Sequence, residues 1–275
     1  MSADAQSSID DRNRAFWDEL CGTGLAMALG ITEITPESVA HFDYAYMNQY
    51  PYLARYLDEL RVKGRKVLEI GLGFGTVGQI LAELGAHYHG ADIAAGPVAM
   101  MRDRLRWIGK PDDQAIVQAS ALELPWPDQT FDVVVSIGCL HHTGDLPRAV
   151  NEIHRVLVPG GTAFVMLYNA HSFRQLVVVQ RERLRAARTR RSADEQVRAM
   201  YDANTAGEAA PHVDFVSRSD VRRLFRDFSN VDIQSQNFDA ITPTFGTHEI
   251  TIRREWLLGN LARVLGLDLY IHARK

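Results

Sequence analysis

Residues Lys66–Thr76 read KVLEIGLGFGT, and Asp92 stands 21 positions after Gly71. The apolar run Val67, Leu68, Ile70 stops at alternating glycines, the pattern of a buried strand that turns at once into a helix. Gly71, Gly73 and Gly75 carry no Cβ, so the backbone there can lie against a bound ligand. The next segment, GAHYHGADI, delivers Asp92 at the spacing where a carboxylate meets the ribose hydroxyls of a nucleotide-type cofactor. Gly73, Gly75 and Gly78 satisfy G-x-G-x-x-G, but that fingerprint should start at the first glycine after the strand. Counted from Gly71, its third glycine falls on Thr76. Glu69 discriminates further: a carboxylate two residues before the turn repels the phosphates of a dinucleotide and suits a ligand carrying an ammonium and a sulfonium.

Two downstream stretches belong with this turn. FDVVVSIGCLHHTGD (Phe131–Asp145) is an apolar strand entering a loop with two histidines, and VLVPGGTAFVMLYN (Val156–Asn169) is a helix end, a Pro-Gly-Gly turn and another strand. Together, E-x-G-x-G-x-G, the late Asp and these two stretches resemble the ordered motifs of class I S-adenosylmethionine-dependent methyltransferases, in their ubiquinone/menaquinone-biosynthesis-like branch of small-molecule enzymes. The match is strong from Val67 to Asn169 and weaker toward the C-terminus. The resemblance implies S-adenosylmethionine as cofactor, S-adenosylhomocysteine as product and a small-molecule acceptor. It implies that Glu69, Gly71 and Gly73 surround the methionine part, that Asp92 takes the ribose hydroxyls, and that Ile93 lies against adenine with Leu122 over the ring. Where the family shows Gly-Asp-Ala after the third strand, this chain has Ala119-Ser120-Ala121. Ser120 offers a hydroxyl in place of a carboxylate.

The acceptor side is read from residues beside those motifs. His141 and His142 follow the fourth strand, where a general base or a substrate-orienting group belongs, and His141 is the first choice. Both also read as pocket lining or as a helix cap. Tyr168, Asn169 and His171 form the opposite wall. Six aromatic residues lie between Phe42 and Tyr56, more than one helical face can bury. The tyrosines of this stretch, Tyr46 and Tyr50 among them, are therefore expected at a lid over the cleft, where their rings can approach a sulfonium, with core packing as the alternative. His87 and His89 share one face of a strand, with no third ligand nearby, so no metal site is expected.

These residues need a scaffold of alternating elements. Strands are expected at 66–70, 87–91, 115–118, 131–136, 162–168, 230–237 and 268–274, and helices at 75–85, 97–107, 146–157, 218–228 and 253–265. Alternation of this kind specifies an α/β fold: a Rossmann-like, doubly wound seven-stranded sheet, mostly parallel. The resemblance makes the last strand antiparallel. Residues 1–60 are expected to form a helical cap or lid, with one helix over Asp10–Leu29 and a second over Glu37–Leu60 broken at Pro51. Residues 61–275 would form the catalytic domain, interrupted by an insertion after strand 5 at about 172–211.

Composition excludes several classes. An apolar fraction of 46% supports a large core, and the net charge of −4 argues against a nucleic-acid partner. The polar start MSADAQSSIDDRNR is unlike a signal or transit peptide, and no apolar run reaches membrane-spanning length. Cys21 and Cys139 are isolated, which suits a cytoplasmic setting without disulfides. His171–Met200 holds eight arginines against Glu182, Asp194 and Glu195, a local +5. Its run RERLRAARTRR reads as a solvated helix face, and alternatively as a contact for an acidic substrate or an anionic membrane surface. Two other functions remain open: an NAD(P)-linked oxidoreductase, and a protein that binds S-adenosylmethionine without catalysis.

Overall fold

The computed structural model describes residues 3–19, 23–112, 114–181, 183, 193–241, 244–245, 248–249 and 251–275. Cys21 and most of the arginine run, including Arg185, Arg188 and Arg190, lie outside the described residues.

The sheet is built from β1 (Lys66–Ile70), β2 (His87–Asp92), β3 (Ile116–Gln118), β4 (Phe131–Ile137), β5 (Leu157–Tyr168), β6 (Asn230–Gln236) and β7 (Asp268–Arg274). Its order is 3-2-1-4-5-7-6, with β7 antiparallel to both β5 and β6 and the others parallel. Apolar side chains leave both faces of the central strands. Leu68, Ile70, Val134, Val165 and Leu167 enter one core, while Val67, Val133, Val135, Phe164 and Met166 enter the other. Continuous apolar runs are what a parallel sheet covered on both faces requires.

Helices α5 (Thr76–Glu83), α6 (Ala95–Trp107) and α7 (Leu146–Val156) link the parallel strands. α7 buries Ala149, Val150, Ile153 and Val156 at helical spacing, and Asp145 caps it by accepting from the Arg148 backbone N–H at 3.1 Å. β5 starts at Leu157, earlier than expected. Phe131 pairs with Leu157 and Val133 with Thr162, so the Pro-Gly-Gly segment is an irregularity within the strand pairing. The expected helix 253–265 is two short ones, Arg254–Leu257 and Asn260–Leu265, divided at Gly259.

Four helices precede the sheet: α1 (Ala3–Trp17), α2 (Gly24–Ala28), α3 (Pro36–Gln49) and α4 (Leu53–Glu59). The expected helix Asp10–Leu29 is thus split, with Thr23 capping a new start by accepting from the Ala26 N–H. α3 begins in a reciprocal cap between Thr35 and Ser38, with Pro36 in its first turn. It ends before Pro51, which disfavours helical backbone at Tyr50. α4 buries Leu53, Tyr56 and Leu57 against the sheet core. α1 is latched to the loop after β4: Gln6 donates to the Thr143 carbonyl and Asn13 to the His142 carbonyl, each at 2.7 Å. Among the described residues no helix is long and apolar enough to cross a membrane.

Candidate active site

At the carboxyl end of β1 the chain turns through glycines with left-handed backbone. Gly71 has φ +83°, and a Cβ there would strike the Cys139 side chain. Gly73 has φ +49° with open space where its Cβ would project. Asp92 closes this turn from the neighbouring strand. Its Oδ2 accepts from the Leu72 N–H at 2.8 Å and its Oδ1 from the Ala94 N–H at 2.9 Å. Each oxygen keeps acceptor capacity for a ligand. Burial raises the Asp92 pKa and those backbone N–H groups oppose the rise.

The turn forms the floor of a cavity of about 620 Å³, a volume suited to a small-molecule site. Glu69, Gly71, Gly73, Asp92, Ile93, Ser120 and Ala121, all expected around the cofactor, line it. Leu122 does not: it is buried in the sheet core behind Ala121, and its N–H donates to Ser120 Oγ at 3.2 Å. Glu69 is almost fully buried and receives a hydrogen bond from the Tyr88 hydroxyl. Desolvation pushes its pKa up to about 8.

Of the residues expected on the acceptor side, the structure brings Tyr46, Tyr50, His142 and Tyr168 to the cavity wall. It does not bring His141, Asn169 or His171 to the cavity wall. His141 is fully buried behind the wall, its ring 4.0 Å from that of Tyr168, and burial drives its pKa well down. Asn169 ties the end of β5 to the segment before β7, donating to the Gly266 carbonyl at 2.8 Å and accepting from the His171 N–H. His171 is exposed. The other expected lid tyrosines divide: Tyr44 points to solvent, while Tyr52 and Tyr56 pack on Tyr270.

Several wall residues carry no sequence signal of their own. Trp17, from the end of α1, lies 4.7 Å ring to ring from His142. Tyr201 and Asp202 come from the insertion, and the Tyr168 hydroxyl donates to Asp202 Oδ2 at 3.0 Å. Across the cavity lining, Asp10, Glu19, Glu69, Asp92 and Asp202 supply five carboxylates, and no lysine or arginine lines it among the described residues.

Residues 68–165 match the family model described as a methyltransferase domain. The chain is 32% identical over 141 residues to a malonyl-[acyl-carrier protein] O-methyltransferase of Halorhodospira halophila, covering 50% of this chain and 47% of that protein. It is 35% identical over 129 residues to the ubiquinone/menaquinone biosynthesis C-methyltransferase UbiE of Vibrio vulnificus, covering 41% and 49%. The chain thus spans about half the length of the curated relatives it matches. The magnesium protoporphyrin IX methyltransferase ChlM of Synechocystis, solved with bound S-adenosylhomocysteine, shares the fold at TM-score 0.55 and 11% identity, covering 98% of this chain and 99% of its own. The motif order and the sheet topology agree with the family match: residues 68–165 are similar to the methyltransferase domain of class I S-adenosylmethionine-dependent enzymes such as UbiE.

Proposed function

We propose that this protein transfers a methyl group from S-adenosylmethionine to a small-molecule acceptor, with residues 1–60 serving as the lid over a catalytic unit formed by 61–275. The observation that carries the reading is the charge of the cavity wall: five carboxylates and, among the described residues, no lysine or arginine. Such a wall attracts a donor bearing an ammonium and a sulfonium and repels the pyrophosphate of NAD(P). The residues present fit that donor. Open space at Gly73 leaves room against the backbone, Glu69 offers a buried carboxylate to the ammonium, and Asp92 offers two oriented oxygens to the ribose diol. Ser120 and Ile93, which line the same cavity, would be the contacts for adenine. When bound, the donor supplies an electrophilic methyl group. The chain's own part is to hold the acceptor in line with that group and keep water out. Tyr46, Tyr50, Trp17 and Tyr168 supply that shielded half. Titration calorimetry with S-adenosylhomocysteine and NADH tests the reading: S-adenosylhomocysteine binds and NADH does not. Binding of NADH without S-adenosylhomocysteine would overturn it.

A further inference from the structure

The insertion after β5 delivers one carboxylate, Asp202, to the acceptor half of the cavity, and it faces His142. The His142 Nδ1 lies 2.7 Å from the backbone carbonyl of His212. A carbonyl only accepts, so Nδ1 carries the proton and, in the neutral ring, Nε2 carries the lone pair. Nε2 has no hydrogen-bond partner although the side chain is buried and on the cavity wall. Asp202 Oδ2 stands 3.6 Å from it. A lone pair facing a carboxylate is an arrangement that a proton improves, because protonation converts repulsion into an ion pair. Both partners are held in place. Tyr168 donates to Asp202 at 3.0 Å, and Trp17 packs on the imidazole at 4.7 Å.

We propose that His142 and Asp202 form an acid–base pair serving a planar, largely apolar acceptor that is methylated on a hydroxyl, an inference that rests on the methyl-transfer reading above. The planar class follows from the wall, where Trp17, Tyr46, Tyr50, Tyr168 and Tyr201 present ring surface. His142 is the catalytic residue and Asp202 its positioning residue. The acceptor O–H bond breaks toward Nε2. The oxygen keeps the electron pair and forms the bond to the methyl carbon, while the S–CH3 pair returns to sulfur as a neutral thioether. The proton remains on an imidazolium that Asp202 stabilises until it passes to solvent. Burial holds the His142 pKa below its ordinary value and the His212 ring acts with it, while Asp202, the His212 carbonyl and, more weakly, Asp214 favour the charged ring. The His141 ring, at 4.3 Å, and that of Tyr168, at 6.0 Å, are the other titratable groups against it.

The test is nuclear magnetic resonance of the full chain labelled in histidine. The neutral His142 ring is expected as the Nδ1–H tautomer. Asp202→Asn should lower its titration midpoint by about one unit, and Asp202→Glu should restore most of that. An Nε2–H tautomer, or an unmoved midpoint in Asp202→Asn with parental S-adenosylhomocysteine affinity, overturns the pair. As the acceptor probe, 1-naphthol should perturb the His142 signals and bind about tenfold more weakly to His142→Ala. Its methyl ether, 1-methoxynaphthalene, should bind both proteins alike. Equal behaviour of the two probes overturns the hydroxyl assignment. If S-adenosylhomocysteine fails to bind the parent protein, the donor reading fails while the tautomer and midpoint still decide the pair.

Discussion

Glu69 shows how one buried carboxylate links stability to binding. Burial raises its pKa from 4.5 to about 8, with the Tyr88 hydrogen bond acting against the rise. At pH 7 the ligand-free protein therefore holds a proton there that the unfolded chain would release. Because the folded state binds that proton more tightly, its stability is greatest below about pH 4.5 as far as this group is concerned, and it falls as pH rises to about 8. Asp268, buried and raised to about 7, acts in the same direction over a narrower window. Glu69→Gln is expected to flatten the fall in melting temperature of the ligand-free protein between pH 5 and pH 8.5. An ammonium placed beside Glu69 reverses the shift, so binding of S-adenosylhomocysteine at pH 7 should release a proton. Calorimetric enthalpies measured in buffers of different ionisation enthalpy will show this, and the Gln variant should lose the effect. Asp92 makes a simpler case. Charge-assisted hydrogen bonds contribute about 1.5–3 kcal/mol each, so Asp92→Ala should weaken S-adenosylhomocysteine binding at least tenfold, and Asp92→Asn less, since its amide oxygen still accepts one bond.

Helix α3 is fastened to the sheet layer through a buried charge. Asp43 meets both terminal nitrogens of Arg104 on α6 at 2.8 Å, while Gln79 and Thr76 of α5 complete the cluster. Arg104 is fully buried, so removing its partner strands a cation. Asp43→Ala should destabilise the fold by about 3 kcal/mol in urea unfolding, and the double variant with Arg104→Met by much less. Contacts of this type explain which elements were legible in the sequence. β1, β2, β4 and helices α5 and α7 follow from apolar runs, glycine turns and local caps, signals carried within a few residues. The break between α1 and α2 and the split at Gly259 left no equally strong local mark. In the site, the placing of Glu69, the glycine turn and Asp92 on one cavity wall was legible because they form one βαβ unit. The acceptor half was not, because Trp17 meets His142, and Tyr168 meets Asp202, across long stretches of chain. The same distance explains the misplaced residues: period and spacing bring His141, Asn169 and His171 to the right end of the sheet without setting which way each side chain turns.

The molecule divides its labour by origin of segment. On the proposed reading, the sheet and its glycine turn hold the donor half of the cavity, whereas Trp17, Tyr46, Tyr50, Tyr201 and Asp202, from the N-terminal segment and the insertion, join His142 and Tyr168 of the sheet's own loops in the acceptor half. Fold alone does not set the acceptor in such an architecture, because the appended segments shape that half. This division predicts separable losses. Trp17→Ala and Tyr201→Ala remove ring surface from the acceptor wall but touch none of the groups facing the ribose or the ammonium. Each should leave S-adenosylhomocysteine affinity within about twofold of the parent, a change under 0.5 kcal/mol. Trp17→Ala should also lower the melting temperature, since the indole packs on both Phe16 and His142. Replacing Arg185, Arg188 and Arg190 by Gln should change neither affinity nor sedimentation with anionic vesicles if the run only solvates the surface; salt-sensitive vesicle binding by the parent alone would give it a membrane role. Calorimetry on the Trp17, Tyr201 and Asp92 variants side by side decides the main point. Should Trp17→Ala weaken the donor product as much as Asp92→Ala, the two halves are one site and the division drawn from the cavity wall is wrong.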